Sequence, residues 1–122
     1  MKVAVIGAGA AGMLAAGHAG ELGHSVDIFE KNNIVGKKIR ITGKGRCNIT
    51  NASDCEEHIE NTPGNPYFMY SALYKFPPDK MIELVESLDV PTKVERGKRV
   101  FPVSDKAADV SEALKKYMKK NG

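Results

Sequence analysis

Apolar positions open the chain in two distinct rhythms. A short apolar run at residues 3–6 breaks at Gly7-Ala8-Gly9-Ala10-Ala11-Gly12, and an alanine-rich stretch follows over residues 13–22. A second run rich in β-formers, residues 25–29, ends in Glu30. Short run, glycine break, long helical stretch and short run predict strand, turn, helix and strand. Further on, Ser53 and Glu56 form a capping box that starts a short helix over residues 54–60, followed by a loop at 61–66. Residues 67–75 predict a helical turn or two, ended by Pro77-Pro78. Residues 79–88 predict an amphipathic helix with Met81, Leu84, Val85 and Leu88 on one face. Residues 90–95 and 98–101, joined through Arg96-Gly97, read as a hairpin outside the nucleotide fold. Ser104 caps a last helix whose apolar positions Ala107, Val110, Leu114, Tyr117 and Met118 keep the helical period. Lys115, Lys116, Lys119 and Lys120 suit its C-terminal dipole, and Gly122 stands where a helix-ending glycine belongs.

The glycine break has the G-x-G-x-x-G spacing. Gly7 permits the tight turn, Gly9 leaves no Cβ between backbone and a pyrophosphate, and Gly12 lets the helix pack closely on the strand. Phosphate then rests on the amides of the helix start at Ala10 and Ala11. Glu30 lies 18 residues past Gly12, at the tip of the second strand. A carboxylate there accepts hydrogen bonds from ribose hydroxyls. Gly7 and Gly12 also match the glycine spacing of a P-loop, but Met13 and Leu14 stand where that motif needs Lys and Ser or Thr. Nucleoside triphosphate hydrolysis is excluded on that ground.

With 122 residues, 42% hydrophobic and 27% charged, the chain has the makeup of one ordinary globular domain. It has no apolar stretch approaching a membrane span, and a fingerprint starting at residue 7 leaves no room for a signal peptide, so a cytoplasmic protein is expected. Cys47 and Cys55 form no C-x-x-C pair, which supports neither a structural metal site nor a dithiol redox motif. The net charge of +3 matters less than its distribution. Between Glu30 and Asp54 there is no acid, while Lys31, Lys37, Lys38, Arg40, Lys44 and Arg46 are all basic. That interval suits an anion. Single-stranded nucleic acid binding usually adds stacking aromatics, and none falls between Phe29 and Tyr67, so no nucleic-acid partner is expected.

A second motif lies inside this interval. Gly36-Lys37-Lys38 follows the second strand, and Thr42-Gly43-Lys44-Gly45-Arg46-Cys47-Asn48-Ile49-Thr50-Asn51 comes next. Glycines on both sides of Lys44 allow close backbone approach, and Arg46, Asn48, Thr50 and Asn51 supply donors along an extended phosphate and sugar chain. Together with Gly7–Gly12, Glu30-Lys31 and the later run Gly97-Lys98-Arg99-Val100-Phe101-Pro102-Val103-Ser104-Asp105-Lys106-Ala107, this resembles the HI0933-like flavoproteins. These are NAD(P)/FAD-dependent oxidoreductases of the aminoacetone oxidase type. The resemblance spans nearly the whole chain, and Thr-Gly-x-Gly-Arg-Cys-Asn is its specific part.

The resemblance implies an α/β protein: a partial Rossmann-like FAD-binding fold with a helical insertion and a β-hairpin. Residues 1–52 would be the βαβ fingerprint and glycine-rich loop, and residues 53–122 the helices, hairpin and crossover helix. It implies FAD as cofactor, with NAD(P)H as a co-substrate of the full-length enzyme. Gly7, Gly9, Ala10, Ala11, Gly12, Glu30 and Lys31 would hold the adenosine half. Gly36, Lys37, Lys38, Thr42, Gly43, Gly45, Arg46, Cys47 and Asn48 would run along the rest. Family members are considerably longer, so the substrate domain is expected to be absent, the isolated chain inactive and the open sheet edges prone to self-association. Two rivals stand: an NAD(P)-binding dehydrogenase domain, which leaves Thr42–Asn51 unemployed, and a non-enzymatic nucleotide- or RNA-binding module. No residue is assigned catalysis. Cys47 beside Arg46 is expected to be an inert loop thiol rather than a reactive one.

Overall fold

The computed structural model describes residues 1–120. β1 (Lys2–Ile6), α1 (Ala10–Glu21) and β2 (Ser25–Phe29) build the first unit, with the two strands parallel and in register from Lys2 opposite Ser25 to Ile6 opposite Phe29. Alternation along both strands half-buries Val3, Val5, Val26 and Ile28 on the helix side and exposes Ala4, Ile6 and Phe29 on the other. The expected βαβ start is therefore present. Gly7 turns the chain at φ +95°, and its N–H donates to the Phe29 carbonyl at 2.7 Å. Gly12 packs so tightly that a Cβ would run into the Gly7 carbonyl oxygen.

Past β2 the backbone returns to the glycine loop, where the Gly36 N–H donates to the Ala8 carbonyl at 2.8 Å. A 3-10 segment, Ile39–Gly45, carries the second motif and buries Ile39. Three short helices follow: α2 (Cys55–Glu60), α3 (Tyr70–Lys75) and α4 (Pro78–Ser87). The hairpin of β4 (Thr92–Glu95) and β5 (Arg99–Pro102) is antiparallel as expected. α5 (Ala107–Lys119) then crosses back onto α1 and the 3-10 segment. Its inner face, Ala107, Val110, Ser111, Ala113, Leu114 and Tyr117, closes a core with Ala8, Met13, Ile39, Cys47, Val85 and Val90.

Four local readings are corrected. The first helix begins at Ala10, because the glycine motif itself supplies its first turn. The capping box of α2 is one residue later than the Ser53 and Glu56 reading: Asp54 Oδ1 accepts from the Glu57 N–H, and Glu57 Oε2 accepts from the Asp54 N–H. Ser53 is instead taken by His58, its Oγ lying 2.7 Å from Nδ1. α5 begins without a side-chain cap; Ser104, three residues before the helix, accepts through Oγ from the N–H of Lys106, the residue just before it. The hairpin also gains a third strand, β3 (Thr50–Asn51), paired antiparallel to β5, which two residues of sequence cannot announce. The helix-ending role expected of Gly122 lies outside the described residues.

Candidate functional site

The carboxyl ends of β1 and β2 open onto a cavity of about 660 Å³. Its floor is the glycine loop, Gly7 to Ala10, and its sides are Phe29–Asn32, Lys37–Ile39, Thr42 and Cys47–Ile49. Met81, Val110 and Leu114 complete an apolar wall. In open α/β sheets, ligands bind outside the carboxyl ends of the strands, and this cavity is there.

α1 aims its start at this space. Gly9 is its N-cap and makes no side-chain capping bond, so the amides of the first turn have no partner within the helix. Nothing lies within 4 Å of where a Gly9 Cβ would be. The last two glycines of the motif thus face opposite ways, Gly12 into the strand and Gly9 into the cavity.

Glu30 is held tightly for a partly exposed side chain. Its Oε2 accepts from the Ala8 N–H at 2.7 Å, and its Oε1 accepts from the Asn32 N–H at 2.8 Å and from Asn32 Nδ2 at 2.7 Å. The Asn32 amide, followed by that of Ala8, holds this carboxyl below its ordinary value of 4.5. Glu30 is therefore an anion at neutral pH, fastened to the glycine loop. Lys31, Lys37 and Lys38 are exposed around the cavity rim, where they set a positive field.

The second motif divides between two roles. Thr42, Cys47 and Asn48 line the cavity. Gly36, Gly43, Gly45 and Arg46 do not. Gly36 packs on Ser111 and Met13, and Gly43 at φ +55° packs on the Asn48 backbone and the Phe101 ring. Arg46 turns toward the antiparallel sheet: Nη1 donates to Glu95 at 2.9 and 3.0 Å and to Asp105 at 3.3 Å, and the guanidinium lies 4.0 Å over the Phe101 ring. Lys93 joins the same group through Asp105 at 2.8 Å. Gly36, Gly43 and Arg46 hold the loop in shape from behind, Gly12 belongs to the helix–strand contact, and Ala11 is exposed on the first turn of α1. Cys47 is buried, and burial pushes its thiol up from 9.0, so it does not ionise at neutral pH. That matches the inert-thiol expectation.

Several lining residues escape sequence reasoning. Asn32 gives no motif signal, and Ala8 contributes only its backbone. Ile39, Met81, Val110 and Leu114 come from three separate stretches that only the fold assembles, beside Ile49 of the second motif. Among the described residues, no group of His, Cys, Asp and Glu could hold a metal ion, and no helix is long and apolar enough to cross a membrane.

A parallel βαβ start, a glycine turn under the helix N-terminus and a fastened acid at the second strand tip define a Rossmann-type domain. The chain belongs to the HI0933-like family, whose Rossmann domain matches residues 1–122. It is 37% identical over 123 residues to a 3-dehydro-bile acid delta(4,6)-reductase of Clostridium scindens, covering 98% of this chain and 29% of that protein. A ribosomal RNA dihydrouridine synthase of Haemophilus influenzae is 40% identical over 81 residues, covering 66% of this chain and 20% of the relative. A 4,4'-diapophytoene desaturase of Staphylococcus aureus is 56% identical over 39 residues, 32% of this chain and 8% of the relative. The chain spans less than a third of each of these relatives.

Proposed function

We propose that this chain is the FAD-binding segment of an oxidoreductase that moves a pair of hydrogens on or off a carbon–carbon bond. The observation that carries the reading is the cavity itself, where an uncapped helix start, a fastened anion and an apolar wall converge. Each half of a flavin dinucleotide finds a suitable surface in it. The α1 amides take the pyrophosphate, and Glu30 takes the adenosine ribose. Thr42, Cys47 and Asn48 follow the chain toward the flavin, and Ile39, Ile49, Met81, Val110 and Leu114 exclude water beside it. Lys31, Lys37 and Lys38 draw the anionic cofactor in. When bound, the isoalloxazine supplies the hydride chemistry, and the protein positions and tunes it. The names of the relatives, a reductase, a dihydrouridine synthase and a desaturase, support that reaction class.

An NAD(P)-binding domain would use the glycines and Glu30 but leave Thr42 and Asn48 without a task. RNA is the other reading, because one relative acts on it. The aromatics of this chain argue against RNA contact here. Tyr67, Phe68, Tyr70 and Tyr74 are exposed, but residues 47–74 hold Asp54, Glu56, Glu57 and Glu60 and no Lys or Arg, so their field repels phosphate.

Flavin fluorescence titration tests the proposal. Glu30→Ala is expected to weaken FAD binding roughly tenfold or more, since a hydrogen bond to a charged group is worth about 1.5–3 kcal/mol. Lys31→Ala, an exposed rim charge, is expected to lose less. Equal or reversed losses would remove the ribose assignment.

A further inference from the structure

A carboxylate offers about four acceptor positions, two on each oxygen. In Glu30 three are filled from within the protein: two on Oε1 by the main-chain and side-chain nitrogens of Asn32, and one on Oε2 by Ala8. One position is left, on the oxygen that touches the glycine loop. We propose that Asn32 is a specificity-determining positioning residue, which saturates one Glu30 oxygen so that the other reads a single ribose hydroxyl.

This rests on the nucleotide reading above and sharpens it. A free carboxylate beside a ribose can accept from both hydroxyls and can rotate to follow either. Asn32 removes both freedoms. It sits two residues past Glu30, in the bend that follows β2, and holds Oε1 with two donors at 2.7 and 2.8 Å. Rotation about the carboxyl axis would break three short bonds at once. Asn32 also lines the cavity, so its amide stands beside the place where the sugar binds. The result is an acceptor at one fixed point. A 2′-phosphate finds no donor on either Glu30 oxygen and meets its charge, which selects an unphosphorylated ribose.

Calorimetric titration of the chain with ADP, 2′-deoxy-ADP and 3′-deoxy-ADP tests the assignment. The wild type is expected to lose roughly tenfold or more on removal of one hydroxyl and less than about threefold on removal of the other. In Asn32→Ala, which keeps the main-chain donor to Oε1 and loses only Nδ2, that contrast should fall below about threefold, because Oε1 regains one open acceptor position for the second hydroxyl. Asn32→Ser, whose hydroxyl can still donate back to Oε1, should recover part of it. A general loss of loop order would weaken all three nucleotides alike and leave the contrast intact. Equal losses for both deoxy analogues in the wild type, or a full contrast kept in Asn32→Ala, would overturn the role of Asn32. Glu30→Gln separates the two levels. If it binds ADP as the wild type does, the ribose reading fails and this inference with it. If it loses affinity while Asn32→Ala keeps the contrast, only the role of Asn32 falls.

Discussion

At the scale of single residues, the last two glycines of the motif have opposite sensitivities. Gly9 faces open cavity and Gly12 faces a carbonyl oxygen. Gly9→Val is therefore expected to keep its circular dichroism and melting behaviour and to lose flavin, while Gly12→Ala should lose folded structure first. A Gly9→Val protein that still retains the chromophore would exclude the loop as the phosphate seat. Sequence made both glycines legible because their spacing is dictated by one turn and one phosphate. Glu30 was legible for the same reason, since it must end the second strand. Asn32 was not, because a side chain that serves another side chain leaves no period and no spacing. Arg46 was misleading in a different way: a loop arginine beside glycines suits an anionic ligand, and only the distant Glu95 and Asp105 show where its charge goes.

Among the elements, the contact of α1 with α5 decides whether the site has walls. Gly17 on α1 leaves just enough room for the Tyr117 ring of α5, and a Cβ there would overlap it. Alanine favours helix by about 1 kcal/mol. Overpacking a buried contact costs about 1–3 kcal/mol. Gly17→Ala is expected to lower the melting midpoint despite its better propensity. The Tyr117 hydroxyl donates to Glu21 Oε2 at 2.8 Å, and burial, then Glu21, push its pKa up from 10.0 to about 12. A folded pKa raised above the unfolded one means stability is intact below pH 10 and falls as pH rises toward 12. Tyr117→Phe should flatten that alkaline decline in thermal melts; an unchanged slope would assign it to another group. The helical period foretold α5 and its apolar face, since five positions repeat on one stripe. It did not foretell β3, whose two residues become a strand only because β5 offers an edge.

At the scale of the whole molecule, the parallel sheet has two strands among the described residues, and its outer face leaves Ile6 81% and Phe29 58% exposed. Parallel sheets are ordinarily covered on both faces. The 122-residue chain is expected to self-associate in sedimentation velocity runs as concentration rises, less so after Ile6→Lys, and to show no turnover with excess FAD. A monomer at every concentration together with steady turnover would mean that these residues suffice as an enzyme. The bond between Tyr117 and Glu21 joins positions 96 apart in sequence, so everything between them is one closed loop. Closing a loop costs free energy only with the logarithm of its length, about 0.6 kcal/mol for each doubling. α2 and α3 bury no residue. The stretch that carries them can lengthen or shrink at little thermodynamic penalty while the clasp and the cavity stay as they are. Descendants of this fold are thus free to vary most in the segment between the glycine-rich loop and α4, and that is where divergence in length should accumulate.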